Sequence, residues 1–315
     1  NIGIGGSHLG PEMVTEALLN YSQGIKPHFI SNIDPDFTSI LLEKLNPETT
    51  IFIIVSKTFS TIETLENANK IRTWFIKNAS ENSIKNHFIS ISNNTEAPKK
   101  FGISAENILS IPEWVGGRFS LWGSVGLVIS IVIGSENFYD FLKGANKMDI
   151  HFKSSPFEKN IPVVLALISI WYNNFMNCET EAVLPYSEYL KFLPHYLQQM
   201  FMESNGKSVN SFNENISNSP CSFIFGEVGT DAQHSFFQAL HQSTLSFTGD
   251  LICFSNNLNS EFCIFDDYDK NNSRDLLNFA ISQYFAFKNG SGKNTKSVHQ
   301  YVKGNKPVDL FMFNI

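Results

Sequence analysis

The sequence predicts an α/β fold built on mainly parallel sheets, and three observations carry that expectation. Thr50-Ile51-Phe52-Ile53-Ile54-Val55 contains an unbroken apolar run rich in β-branched residues, the pattern of a strand buried on both faces. Short apolar runs alternate with longer helical patterns along the whole chain, the grammar of βαβ units. With 315 residues, 42% of them hydrophobic and 17% charged, the chain is long enough for two such units, each with its own core.

Residues 1–4 read as a strand, followed by the Gly5-Gly6-Ser7 turn and a helix over 11–19 that opens on Pro11. A second strand is expected at 28–31, a helix capped by Asp34 at 34–45, and the apolar strand at 50–55. A helix over 60–77 and a strand at 86–91 complete the first series, and Pro98-Lys99-Lys100 reads as a connection. Helices at 121–133 and 135–146 are parted by Gly134, and the boundary falls near residue 130, giving units 1–130 and 131–315. The second unit repeats the pattern: helix 162–177, strand 181–185, helix 187–203, strand 221–225, helix 231–243, strand 250–254. It continues with a polar, acidic loop at 266–274, a helix at 276–288, a Gly/Ser/Asn/Lys loop at 289–296 and a strand from 310.

The net charge of −7 and isoelectric point near 5.6 argue against nucleic acid as a partner while leaving room for a local cationic pocket. Cys178, Cys221, Cys253 and Cys263 form no C-x-x-C pair and have no histidine at metal spacing. They read as reduced packing residues of a cytoplasmic protein. No segment is long and apolar enough to span a bilayer; the best, 127–133, is short. The opening Asn1-Ile2-Gly3-Ile4 lacks the charged region of a signal peptide and starts inside a strand, so the chain reads as truncated.

Chemistry concentrates after the third strand. Ser56, Thr58, Ser60 and Thr61 supply hydroxyls and Lys57 a cation, directly before a helix. Such a helix N-terminus, beyond the carboxyl end of a parallel strand, suits a phosphate; equally, Ser and Thr are ordinary capping residues. Gly5 and Gly6 allow backbone amides to approach an anion. Glu203 ends a helix behind apolar Phe201 and Met202, whose desolvation would raise a carboxyl toward a useful base, or it is a solvated helix-end acid. Gln199 lies one turn earlier on the same face. Arg118, in a Gly-Gly-Arg turn between Trp114 and Trp122, suits either an oxyanion or a structural ion pair. His234 stands at a helix start, exposed, placed for proton transfer or simply structural; His241 is of the second kind.

Several of these stretches resemble the glucose-6-phosphate isomerase family: Ile2-Gly3-Ile4-Gly5-Gly6-Ser7, Ser56-Lys57-Thr58-Phe59-Ser60-Thr61, Val115-Gly116-Gly117-Arg118-Phe119-Ser120-Leu121-Trp122 and Met202-Glu203-Ser204-Asn205-Gly206-Lys207. Glu179-Thr180-Glu181-Ala182-Val183-Leu184-Pro185-Tyr186, Gln233-His234 and Lys303-Gly304-Asn305-Lys306-Pro307 match as well, in the family's order. The resemblance implies two tandem SIS-type domains and cofactor-free interconversion of glucose 6-phosphate and fructose 6-phosphate. It implies phosphate binding by Ser56, Lys57, Thr58 and Thr61, with Gly6 and Ser7 nearby. Glu203 would be the base that shuttles a proton through a cis-enediol, Arg118 its stabiliser, and Gln199 would position the sugar. His234 would assist ring opening from the partner subunit of a homodimer, with no metal involved. A non-catalytic sugar-phosphate-binding module is the alternative.

Three departures accompany the match. Val228, Asp231 and Ala232 stand where the family usually has Pro, Asn and Gly, and Ala232 would be strained if its φ were positive. His8 replaces a usual acidic residue. The family's N-terminal helices and the catalytic lysine of its Gly-Val-Glu-x-x-Lys segment do not occur in these 315 residues, so this chain alone is expected to have weak or no activity.

Overall fold

The computed structural model describes residues 1–256, 266–291 and 300–314, and within the second stretch the side chains from residue 272 onward. The chain forms two compact units, Asn1–Lys147 and Met148–Ile315, where the sequence places the division near residue 130. The helix Leu127–Ile133 belongs to the first unit: it buries Val128, Ile129, Val132 and Ile133, and the Val132 carbonyl accepts from the Gln23 amide at 3.0 Å.

In the first unit β1 (Phe52–Val55), β2 (Phe88–Ile91) and β3 (Ile108–Leu109) pair in parallel in that order. Ile2 bridges both Ile54 and Ile30 in parallel, which extends the sheet by two short segments beyond β1. Across the sheet the chain therefore runs second, first, third, fourth, fifth, the order of a doubly wound fold. The four residues of β1 are all buried, as the apolar run predicts. The strand starts only at Phe52, because a 3₁₀ turn, Pro47–Thr49, occupies the preceding residues, and Ile51 is left 54% exposed.

Helix Ile62–Asn78 buries Thr64, Asn67, Ala68, Ile71 and Phe75, one stripe at three- and four-residue spacing whose polar Asn67 bonds to Thr38 and Asn32. There the Phe52 and Phe88 rings stack at 4.8 Å, and Phe75 meets them edge-on at 6.0 and 5.3 Å. These aromatic pairs add to what the buried area alone contributes.

The second unit holds β4 (Thr180–Pro185), β5 (Phe223–Gly226), β6 (Thr248–Phe254) and β7 (Val308–Phe313), all parallel, in the order β5-β4-β6-β7. Its chain order across the sheet, second, first, third, fourth, repeats that of the first unit. Its core joins Leu184, Tyr186, Leu251 and Cys253 to Ala232, Phe237, Leu240, Phe247 and Phe287.

Four local expectations are corrected. The single helix at 187–203 is instead a 3₁₀ turn, Glu188–Leu190, a helix Leu193–Leu197 restarted by Pro194, and a π-helical turn, Gln198–Glu203. The helix at 231–243 divides into Gly229–Gln233 and Phe237–Gln242. The acidic stretch 266–274 is not a loop but the start of helix Asp266–Asn289. Pro98-Lys99-Lys100 lies in a short helix, Glu96–Phe101, stopped by Gly102 at φ +106°. Cys178, Cys221 and Cys253 are free thiols, pushed up in pKa by burial; Cys263 and residues 292–296 of the expected Gly/Ser/Asn/Lys loop lie outside the described residues. Among the described residues no helix is long and apolar enough to cross a membrane.

Candidate active site

The first unit's strand order reverses between the Ile2 segment and β1, and such a switch point opens a crevice at the carboxyl ends of two neighbouring strands. The two stretches leaving those ends are the Gly5–Ser7 turn, begun by Gly5 at φ +60°, and residues 56–61. Ser56 is buried, its amide bonded to the Ile91 carbonyl at 3.1 Å, and its carbonyl accepts from the Phe59 amide at 3.0 Å. Phe59 takes a left-handed φ of +53°, unusual for a bulky side chain, and sinks its ring into the core against Phe101 at 6.0 Å. The loop is thereby bent outward with its hydroxyls in two pairs, Ser56 with Thr61 at 3.2 Å and Thr58 with Ser60 at 2.6 Å.

The geometry bears on both readings of those hydroxyls. Thr61 occupies the N-cap of helix Ile62–Asn78 but makes no side-chain capping bond, whereas Asp34 and Asn160 cap their helices with their side chains. The first amides of that helix therefore keep their donors for another acceptor, and the dipole favours an anion.

The Arg118 turn is seated against the same place. A Cβ on Gly6 would lie 2.1 Å from the Gly117 carbonyl carbon and 2.5 Å from the Arg118 amide nitrogen, so only glycine permits this backbone approach. Lys57 Nζ donates to the carbonyls of Glu113 (2.7 Å) and Val115 (3.1 Å), just ahead of Gly116-Gly117-Arg118. The 3₁₀ segment Gly117–Trp122 is closed by Ser120 Oγ donating to Gly117 O at 2.6 Å, and Arg118 is half-buried. Gly6, Ser7, Ser56, Lys57, Thr58, Thr61 and Arg118 are thus gathered around one switch point.

The second unit holds Gln199, Glu203 and His234. The π-turn that carries the first two is pinned to β5: Gln198 Nε2 donates to Ile224 O at 3.1 Å, and the Ile224 amide donates to Met202 Sδ at 3.4 Å. Met202 thus faces the sheet and Phe201 is 43% exposed, so the apolar wall expected around Glu203 does not close and that residue is exposed. The Gln199 carbonyl oxygen is buried without a hydrogen-bond partner among the described residues, an uncommon state that a ligand donor would relieve. His234 is the C-cap of Gly229–Gln233, at that short helix's end rather than its start, and is exposed as expected. Ala232 lies inside this helix with no positive φ, so the strain anticipated there is absent, and Val228 at φ −54° has the backbone a proline would adopt. Next to His234, Gln233 Nε2 donates to the hydroxyl of Tyr186, whose pKa burial pushes up to about 12.

Sequence reasoning passed over Glu181, Asp250 and Asp309, acidic residues set among apolar ones on β4, β6 and β7. They line a cavity of about 680 Å³ walled by Ile161, Leu165 and Ile168. Burial, reinforced by the neighbouring Glu181 and Asp309, pushes Asp250 up to about 8. The readable signal was the carboxylates themselves, placed in strands that are otherwise free of charge. Among the described residues no group of three or more His, Cys, Asp or Glu is arranged to hold a metal.

Comparison with known proteins bears on the chain as a whole. The family model described as phosphoglucose isomerase matches residues 1–312. The glucose-6-phosphate isomerase of Christiangramia forsetii is 55% identical over 258 residues, 82% of this chain and 48% of that protein. That of Blochmanniella floridana is 49% identical over all of this chain and 56% of its own length, so the chain spans about half of the curated relatives it matches. A crystal structure of a glucose-6-phosphate isomerase from Chlamydia trachomatis superposes with a TM-score of 0.89 at 32% identity, covering 99% of this chain and 59% of that one. The two tandem units, parallel sheets flanked by helices, share the SIS-type fold of that isomerase.

Proposed function

We propose, on the premise that the chain belongs to the phosphoglucose isomerase family, that it carries the catalytic core of an enzyme interconverting glucose 6-phosphate and fructose 6-phosphate. The observation that supports this most directly is the uncapped, hydroxyl-rich helix start at a switch point, with the Arg118 turn packed on Gly6. In this reading Ser56, Thr58 and Thr61 hold the phosphoryl group, helped by the backbone at Gly6, Ser7 and Lys57.

Aldose–ketose exchange needs a proton moved from one carbon to its neighbour and a cation for the charge that develops between. Glu203 takes the proton from C2 and returns it at C1, so a single carboxylate serves both steps through a cis-enediolate. Arg118 stabilises the enediolate oxygen, and Gln199 orients the sugar through its otherwise unsatisfied carbonyl. His234 assists ring opening and is supplied by the partner subunit of a homodimer. No cofactor enters these steps. The setting we assign is the cytoplasm, in glycolysis and gluconeogenesis.

A coupled assay for fructose 6-phosphate, run on the full natural protein and on Glu203→Gln, tests the reading. Loss of the base lowers kcat by about 10²–10⁴-fold. Comparable rates for the two proteins refute Glu203 as the base, and tight binding of 6-phosphogluconate without any turnover identifies a sugar-phosphate binder instead.

A further inference from the structure

We propose that the side chain of Lys57 is a positioning residue for the Arg118 turn rather than a phosphate ligand; this rests on the function proposed above. An ammonium has three donors, and two of them are already committed to the Glu113 and Val115 carbonyls, 56 and 58 residues away along the chain. The same residue's carbonyl accepts from the Asn93 amide at 2.9 Å and from Ser92 Oγ at 3.1 Å. Asn93 in turn accepts, through Oδ1, from the Ile111 amide at 2.7 Å. Residue 57 is therefore the junction of three loops that leave the carboxyl ends of β1, β2 and β3.

The turn is anchored in the core only at its ends, by Ile111 before it and Leu121 after it. Between them Pro112, Glu113 and Trp114 are exposed, Trp114 by 86%, and the two carbonyls held by Lys57 lie in this exposed stretch. Beyond it the chain must bring Gly117 into backbone contact with Gly6, where the tolerance is a fraction of an ångström. A donor that grips two carbonyls immediately upstream sets the height at which Gly116-Gly117-Arg118 enters that contact. Arg118 then meets the developing charge at a fixed place, as oxyanion stabilisation requires. The phosphate is left to backbone amides and hydroxyls, which the uncapped helix start supplies.

The test uses the full natural protein, Lys57→Met, Lys57→Arg, Arg118→Ala and the double variant Lys57→Met/Arg118→Ala. Amide hydrogen exchange is read at Val115 and Phe119, whose N–H groups bond within the turn at 3.0 Å. In K57M exchange at both speeds up, kcat falls about 10–100-fold, and the inhibition constant of inorganic phosphate stays unchanged. The double variant is no slower than R118A, because both changes remove the same interaction, and K57R recovers part of kcat. Unaltered exchange in K57M, or a weakened phosphate constant with kcat intact, overturns the proposal. Should K57M fail to melt cooperatively, Lys57→Gln is read by the same measures. Absence of isomerase turnover in the wild-type protein would refute the proposed function, while exchange and phosphate binding would still decide the role of Lys57.

Discussion

Replacing Gly6 by alanine tests whether close backbone apposition is what places Arg118. The added Cβ would stand 2.1, 2.3 and 2.5 Å from the Gly117 carbonyl carbon, its oxygen and the Arg118 nitrogen, where ordinary contact begins at 3.4 Å. All three are backbone atoms, so no rotamer change relieves the overlap, and the Arg118 turn must retreat by more than an ångström. Displacement on this scale costs about 10²-fold in rate when the displaced group acts on the reacting atoms. Overpacking of this kind destabilises by about 1–3 kcal/mol, which leaves a domain of this size folded. The control is Gly24→Ala: Gly24 has φ +85°, but its added Cβ meets nothing within 4 Å, so it bears the backbone strain without the collision. We expect G6A to lose about two orders of magnitude in kcat/KM with a cooperative melt, and G24A to lose about 1 kcal/mol of stability with rates unchanged. A G6A protein with wild-type kcat/KM refutes the reasoning.

Thr61→Ala separates capping from ligand binding. Thr61 makes no capping bond, so its loss forfeits only the hydroxyl pairing with Ser56 at 3.2 Å, about 1 kcal/mol, and inorganic phosphate competes more weakly; Asp34→Ala, which removes the bond to the Asp36 amide at 2.9 Å, also costs about 1 kcal/mol but leaves phosphate competition unchanged. The acidic cluster predicts a pH dependence. Asp250 holds its proton up to about 8 in the fold but releases it near 3.8 when unfolded, so its contribution is fully present below 3.8 and is lost as pH rises toward 8. Glu181 and Asp309 face it across the strands, with Tyr284, Lys288 and Lys306 on the same cavity. Asp250→Asn removes up to about 1.4 kcal/mol per pH unit of that slope, so urea unfolding at pH 5 and pH 8 differs less in D250N than in the wild type; parallel losses in both would refute it.

What was legible in the letters follows what local patterns encode. The buried run at β1 announced a parallel sheet because a strand covered on both faces leaves no polar side to alternate. The loop at 56–61 reads as a candidate anion site from its hydroxyls, but its geometry depends on Phe59, whose left-handed φ is set by tertiary packing. The role of Lys57 was hidden for the same reason, since its acceptors lie 56 and 58 positions away. Helix breaks at Pro194 and in the π-turn were missed because tertiary bonds from Gln198 and Met202 to Ile224, not propensity, shape that stretch. The stretch 266–274 reads as polar loop by composition, which carries no apolar period to mark the helix Asp266–Asn289 that begins there.

Phe59 joins the loop's conformation to the cohesion of the interior. Its ring is part of the cluster that includes Phe52, Phe75 and Phe88, so the hydroxyls are arrayed by the act of folding, before any sugar arrives. An anion meeting a loop of this kind finds a template already cast, and little ordering entropy is surrendered on capture. If the loop holds phosphate as proposed, anything loosening the aromatic interior, even a substitution far from the crevice, blunts that grip well before the unit melts.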